Sequence, residues 1–301
     1  MVRNGIRVTV AVGALLAAAF GTTVPAQAST AAGYRVSAAE QAATSAYWTP
    51  QRMAAATPLD SSTSAQPQDA PPGTPTGTLF DGVPTVGALF STVGGKGHFC
   101  TASVVLSPTR NLLLTAAHCV YGRNGYHANV AFVPGYHAGT APDGTWPVAS
   151  MLVADGWQTS SDPNLDFAFL GVAANDDGRQ LQDVTGGNLL GIDRGYDHTV
   201  TVIGYSNTTD NPSDLPIMCR TQSFQAMPDQ LQFNCHGYYD GTSGGPWLTD
   251  YNPFTGSGTV IGDIGGYETG GDYEYTSYSP YFGLPTLQLY LSAEFDQVHS
   301  G

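Results

Sequence analysis

The sequence predicts an all-β chain closed by one helix, and three observations carry that reading. Short β-compatible segments recur at close spacing, separated by Gly, Pro, Asn and Asp. Glycine and proline are abundant, at 37 and 20 residues, while charged residues make up only 11% of the chain. Helical periodicity is clear only near the end, where Leu287, Tyr290 and Leu291 fall on one helical face behind Pro285.

Residues 1–28 have the form of an export signal. Arg3 and Arg7 give a positive start, residues 8–20 are apolar, and Ala26-Gln27-Ala28 is a small-x-small cleavage site, so a cut after Ala28 is expected. The apolar run is shorter than the roughly 20 residues a membrane-spanning helix needs. No later segment is longer and equally apolar, so a secreted, extracellular protein with no membrane partner after export is expected. Residues 29–77 are dominated by Ala, Ser, Thr, Gln and Pro. They read as a propeptide or a flexible N-terminal extension, with a short helix over residues 37–46 and a linker over residues 66–75.

Strand-like texture begins at Thr78. Segments 86–93, 98–106, 111–115, 129–133, 147–153 and 167–172 form a first series. The turn Asn175-Asp176-Asp177-Gly178 and a polar stretch to Gly187 then interrupt it. Segments 199–203, 230–234, 247–249 and 259–264 form a second series, and residues 284–295 are the closing helix. Strands at this spacing fit antiparallel sandwiches or barrels. The break divides the chain into residues 78–180 and 181–301. No internal sequence repeat is visible.

Lysine plus arginine number 10 against 24 acids, for a formal charge of −14. That excludes the basic footprint nucleic-acid binding needs and suits a self-repelling monomer. The four cysteines, Cys100, Cys119, Cys219 and Cys235, read as disulfides in an exported chain. Of the three possible pairings, the sequential one, Cys100 with Cys119 and Cys219 with Cys235, closes two short loops and is preferred. There is no C-x-x-C pair, and the spacing of Asp176, Asp177 and Asp183 matches no calcium loop, so no metal and no cofactor are expected.

Three stretches carry chemistry. In Gly241-Thr242-Ser243-Gly244-Gly245-Pro246 a serine sits between glycines that permit a sharp turn and can aim backbone N–H groups at a carbonyl. A serine hydroxyl needs a base to become a nucleophile. Thr115-Ala116-Ala117-His118-Cys119 offers one, because a disulfide at Cys119 would pin the loop bearing His118. Asp166-Phe167-Ala168 sets an acid just before an apolar strand, suited to accept a hydrogen bond from a histidine and fix its tautomer.

In this order, histidine, aspartate, serine, the chain resembles the chymotrypsin-like (trypsin-fold) serine proteases over residues 79–295, and within them the secreted bacterial branch that includes glutamyl endopeptidases. The resemblance implies two six-stranded antiparallel β-barrels with the active site between them. The first would carry His118 and Asp166, and the second Ser243. It further implies a serine endopeptidase acting on protein or peptide substrates through an acyl-enzyme, with Gly241 and Ser243 supplying the oxyanion-hole N–H groups.

Two departures matter. Thr242 stands where animal digestive members carry the aspartate that pairs with a newly freed N-terminus, so that activation switch is not expected. Gly237, six residues before Ser243, is not the acid that selects basic side chains in trypsin. The following strand instead carries Asp263, near where glutamyl endopeptidases carry a histidine. Gly237, Asp240, Asp263 and Gly265 are therefore the candidate substrate-binding positions. Asp263, helped by Asp240 and Glu268, predicts a basic residue before the cut. The same Gly-x-Ser-x-Gly pattern occurs in esterases, but these need an acid and then a histidine after the serine, and only His299 follows. A catalytically inactive homologue acting as a binding module is the remaining rival, although all three catalytic residue types are present.

Overall fold

The computed structural model describes Met1, residues 33–59 and residues 69–298; apart from Met1, the expected signal segment lies outside the described residues. Among the described residues no helix is long and apolar enough to cross a membrane.

Six antiparallel strands form the first barrel: β1 (Val86–Val93), β2 (Lys96–Val105), β3 (Leu112–Thr115), β4 (Ala128–Pro134), β5 (Trp146–Val153) and β6 (Ala168–Val172). They pair in the order β1-β2-β3-β6-β5-β4, and β4 returns to β1, so the sheet closes. Closure leaves no edge to template aggregation.

The second sheet holds β7 (His198–Gly204), β8 (Ile217–Met227), β9 (Gln230–Asn234), β10 (Pro246–Asn252), β11 (Ser257–Asp263) and β12 (Thr276–Pro280). Its order, β7-β8-β9-β12 on one side and β7-β10-β11 on the other, repeats the connectivity of the first. The ends of β11 and β12 meet where Asp263 N–H donates to Ser279 Oγ at 3.0 Å and Gly265 N–H donates to the Tyr278 carbonyl at 3.0 Å.

Strands β8 and β12 are absent from the sequence expectation. In β8 the run Arg220-Thr221-Gln222 puts polar side chains on a partly exposed face, and β12 reads Thr-Ser-Tyr-Ser-Pro. Neither has the apolar alternation that marks a strand. Both are held by ladders to β9 on one chain.

The leucine run of β3 shows how the two barrels join. Successive strand residues face opposite sides. Leu113 points into the first barrel with Leu89, Phe132 and Leu170. Leu112 and Leu114 face outward, yet they are fully buried in a seam with Phe90, Phe169, Ile203, Leu248 and Val260 from both halves. A strand apolar on both faces is thus explained by one face for its own barrel and one for the seam. Each such side chain contributes roughly 1.5–3 kcal/mol. The closing helix, residues Leu284–Val298, adds Leu289 and Ala293 to this seam. It is tied to the first barrel by Glu294, whose carboxylate accepts from Thr109 N–H at 3.2 Å and Thr109 Oγ1 at 2.8 Å.

Residues 33–59 pack onto the first barrel. Helix α1 (Ala38–Tyr47) begins at a Ser37 cap completed by Glu40, whose carboxylate accepts the Ser37 N–H at 2.8 Å. Trp48 is 4% exposed, packs on Phe90 with the rings tilted by 39° and centroids 5.1 Å apart, and donates its indole N–H to the Asn129 carbonyl at 2.6 Å. Thr57–Pro58 then pairs in parallel with β2, and Leu59 N–H donates to the Phe99 carbonyl at 3.1 Å. Residues Thr78–Leu79 instead join β8 of the second sheet.

Disulfides link Cys100 with Cys119 and Cys219 with Cys235. At sequence separations of 19 and 16, each is worth about 3 kcal/mol by loop entropy.

Candidate active site

At the end of β3 the chain leaves the barrel through Ala116 into a single 3-10 turn, Ala117–Cys119, which carries His118. The Cys100–Cys119 bond fastens this turn to β2, and His118 is 8% exposed. The 3-10 turn Pro163–Leu165 delivers Asp166, which is fully buried immediately ahead of β6.

The carboxylate of Asp166 has three donors. Oδ1 accepts the His118 backbone N–H at 2.9 Å, and Oδ2 faces the His118 Nδ1 at 2.7 Å. Oδ2 also accepts the Gly266 N–H at 2.9 Å. A carboxylate opposite Nδ1 requires the proton on Nδ1, which leaves Nε2 as the basic nitrogen.

Ser243 sits in a turn built on close approach. Gly241 has φ +97°, and a Cβ there would meet the Phe99 ring and lie 2.8 Å from the Tyr205 carbonyl. A Cβ on Gly244 would strike the Thr101 carbonyl and the Thr115 hydroxyl and come within 3.1 Å of Ala116 N. Glycine is therefore required for the serine turn to pack against the turn bearing His118.

Thr101 of β2 secures the contact. Its N–H donates to the Ser243 carbonyl at 2.7 Å, and its hydroxyl donates to the Gly241 carbonyl at 3.2 Å. Only the fold brings Thr101 here, because nothing in the run Cys100-Thr101-Ala102 marks it as more than a strand residue.

Beside Ser243 opens a cavity of about 290 Å³ lined by Tyr238, Tyr239, Asp240, Thr242, Ile264 and the loop Glu268–Asp272. Its charged lining residues, Asp240, Glu268 and Asp272, are all acidic. Partial loss of water and then the Asp272 charge push the Glu268 carboxyl above its ordinary range, against the Tyr267 hydroxyl, which lowers it.

Of the substrate-binding positions predicted from sequence, Asp240 lines this cavity. Gly237 does not; its N–H is held by Glu274 at 2.7 Å. Gly265 packs against Asp166 instead. Asp263 is fully buried and stands apart from the lining, so the acidic character comes from Asp240, Glu268 and Asp272. Asp272 was missed in the sequence because Gly270-Gly271-Asp272 looks like an ordinary turn.

The grouping Cys100, His118 and Cys119 is the one set of potential metal ligands among the described residues, and its sulfurs are joined in a disulfide rather than available as thiolates.

The sequence profile of the trypsin-like peptidase domain matches residues 100–256, more than half of the chain and a span that includes His118, Asp166 and Ser243. The chain belongs to this family.

The peptidase shares its fold with solved proteases. The protease Anisep from Arthrobacter nicotinovorans is 24% identical with a TM-score of 0.65, over 73% of this chain and 100% of that one. The thermostable serine protease AL20 from an extremophilic microorganism is 22% identical with a TM-score of 0.63, over 70% of this chain and 97% of that one. A Glu endopeptidase solved in complex with MPD is 17% identical with a TM-score of 0.58, over 74% of this chain and 98% of that one. No curated protein matches the peptidase. Fold and family together support peptidase activity by a serine hydrolase.

Proposed function

We propose that this peptidase is a secreted endopeptidase in which Ser243 attacks the scissile carbonyl, His118 is the general base and acid, and Asp166 orients His118. The observation that carries the reading is the buried pair in which Asp166 holds both the backbone N–H and Nδ1 of His118 while Ser243 is fastened to the adjoining wall by Thr101. With Nδ1 protonated, Nε2 takes the serine proton and returns it to the leaving amine, and Asp166 stabilises the imidazolium between these steps. The backbone N–H groups of Gly241 and Ser243 hold the developing oxyanion; the left-handed backbone at Gly241 supports this assignment. Water then hydrolyses the acyl-enzyme.

The preference for a basic residue before the cut rests on Asp240, Glu268 and Asp272 rather than on Asp263. A glutamate side chain would meet three carboxylates in this cavity, whereas a lysine or arginine head would be attracted by them.

Thr242 is 4% exposed and turns its hydroxyl onto the Tyr239 carbonyl at 3.0 Å, which supports maturation without an N-terminal ion pair at this position. Two disulfides and the signal-like start support export. Residues 29–77 act as a pro-segment or extension, of which residues 33–59 stay docked on the first barrel.

The test is digestion of a denatured protein mixture by the mature enzyme and by Ser243→Ala and His118→Ala. Cleavage by the parent alone supports the reading; equal cleavage by Ser243→Ala, or none by the parent, rejects it.

A further inference from the structure

A buried amide links the acid to the cavity wall. Gln230, the first residue of β9, is 2% exposed. Its Oε1 accepts the Tyr267 N–H at 3.1 Å, and its Nε2 donates to the Pro163 carbonyl at 3.1 Å and to Asn164 Oδ1 at 2.8 Å. Pro163 and Asn164 form the turn that delivers Asp166, and Tyr267 begins the loop that carries Glu268 to the cavity. The neighbouring Gly266 N–H donates to Asp166 Oδ2 at 2.9 Å. The contacts close a ring: Asp166 to Gly266, along the chain to Tyr267, across to Gln230, then to Asn164 and back to Asp166. The ring is tight, since a Cβ on Gly266 would collide with the Gln230 amide.

We propose that Gln230 is a positioning residue for catalysis: one amide fixes both the Asp166 segment and the cavity wall, so that acid and substrate loop keep a common register. The proposal rests on the triad reading above. Gln230 touches no reacting atom. Its effect comes from the geometry it imposes, and a misplacement of about 1 Å at a reacting centre costs up to about a hundred-fold in rate. A buried amide with donor and acceptor both engaged is specific, because no other side chain of that length offers both.

Two variants separate this from simple loss of folded protein. Gln230→Leu keeps the volume and removes every bond. After titration of reactive serines with a fluorophosphonate, it is expected to show a higher KM and a lower kcat, together about ten- to a hundred-fold in kcat/KM. Gln230→Glu keeps an acceptor for Tyr267 but sets a carboxylate against the Pro163 carbonyl, so kcat should fall more than KM rises. A reduced count of reactive serines with unchanged KM and unchanged turnover per site would mean a merely structural residue and would overturn the proposal.

Hydrogen exchange reads the clamp without activity. The peptides covering Asp166 and Gly266–Tyr267 should exchange about ten-fold faster in Gln230→Leu, while β1 and β8 stay unchanged. Unaltered exchange at both places would equally overturn the proposal. If the parent enzyme proved inert to peptides and fluorophosphonate, the peptidase reading would fail, and exchange would still decide whether Gln230 holds the ring.

Discussion

Asp166 binds His118 twice, through the backbone N–H on one carboxylate oxygen at 2.9 Å and through Nδ1 on the other at 2.7 Å. Two contacts fix ring and backbone together, so the imidazole has one orientation and one tautomer. Asp166→Asn keeps the shape but offers an N–H where an acceptor is needed. Its kcat on peptides should fall about ten-thousand-fold with the thermal midpoint little changed. A loss below ten-fold would remove Asp166 from the mechanism.

Glu268 should govern the residue before the cut. It is exposed at the cavity mouth, so its interaction with a cation is worth only about 1 kcal/mol. Glu268→Gln should lower kcat/KM for arginine substrates about five-fold and leave leucine substrates unchanged. A cleavage profile of the parent enzyme dominated by glutamate would overturn the basic preference.

Trp48 should act as part of the folded enzyme. It fills space against Phe90 and donates its indole N–H to Asn129. Trp48→Ala should cost about 3–5 kcal/mol in urea unfolding of protein that retains residues 33–59. An unchanged midpoint would mean that this segment is not docked in solution.

Asp263 should make stability depend on pH. Among the described residues neither of its carboxyl oxygens has a hydrogen-bond partner, and burial, then the Asp166 charge, pushes its carboxyl well above the usual range, with His118 opposing. The folded protein keeps this proton after the unfolded chain, with a pKa of about 3.9, has lost it. Stability is therefore full below about pH 3.9 and falls as pH rises toward the folded value. Asp263→Asn has no such proton. Between about pH 4 and pH 7 the parent should lose stability relative to this variant, by at most about 1.4 kcal/mol per pH unit. Parallel curves would contradict the assignment.

Much of this site is legible in the sequence because its local constraints are strong. Ser243 needs glycines at 241 and 244 for close packing, and His118 sits beside a disulfide cysteine; both leave marks within a few residues. Strand β1 was readable for a similar reason, since nearly all of Val86–Val93 is buried. Thr101, Gln230 and Asp272 left no such mark. Each is an ordinary polar residue that acquires its partners only when distant segments meet, as when Gln230 reaches Pro163 across the two halves. Asp263 misled for the complementary reason: an acid at a promising position in a strand faced the protein interior. Residues 33–59 read as a loose extension because they are rich in alanine and polar residues, while their docking rests on a few anchors such as Trp48.

The most direct measurement is the intact mass of the mature protein after reaction with a fluorophosphonate, beside Ser243→Ala and His118→Ala. One adduct per molecule is expected in the parent, mapped to Ser243, with none in Ser243→Ala and much slower labelling in His118→Ala. An unlabelled parent, or equal labelling of parent and Ser243→Ala, would contradict the claim that Ser243 is a nucleophile activated by His118.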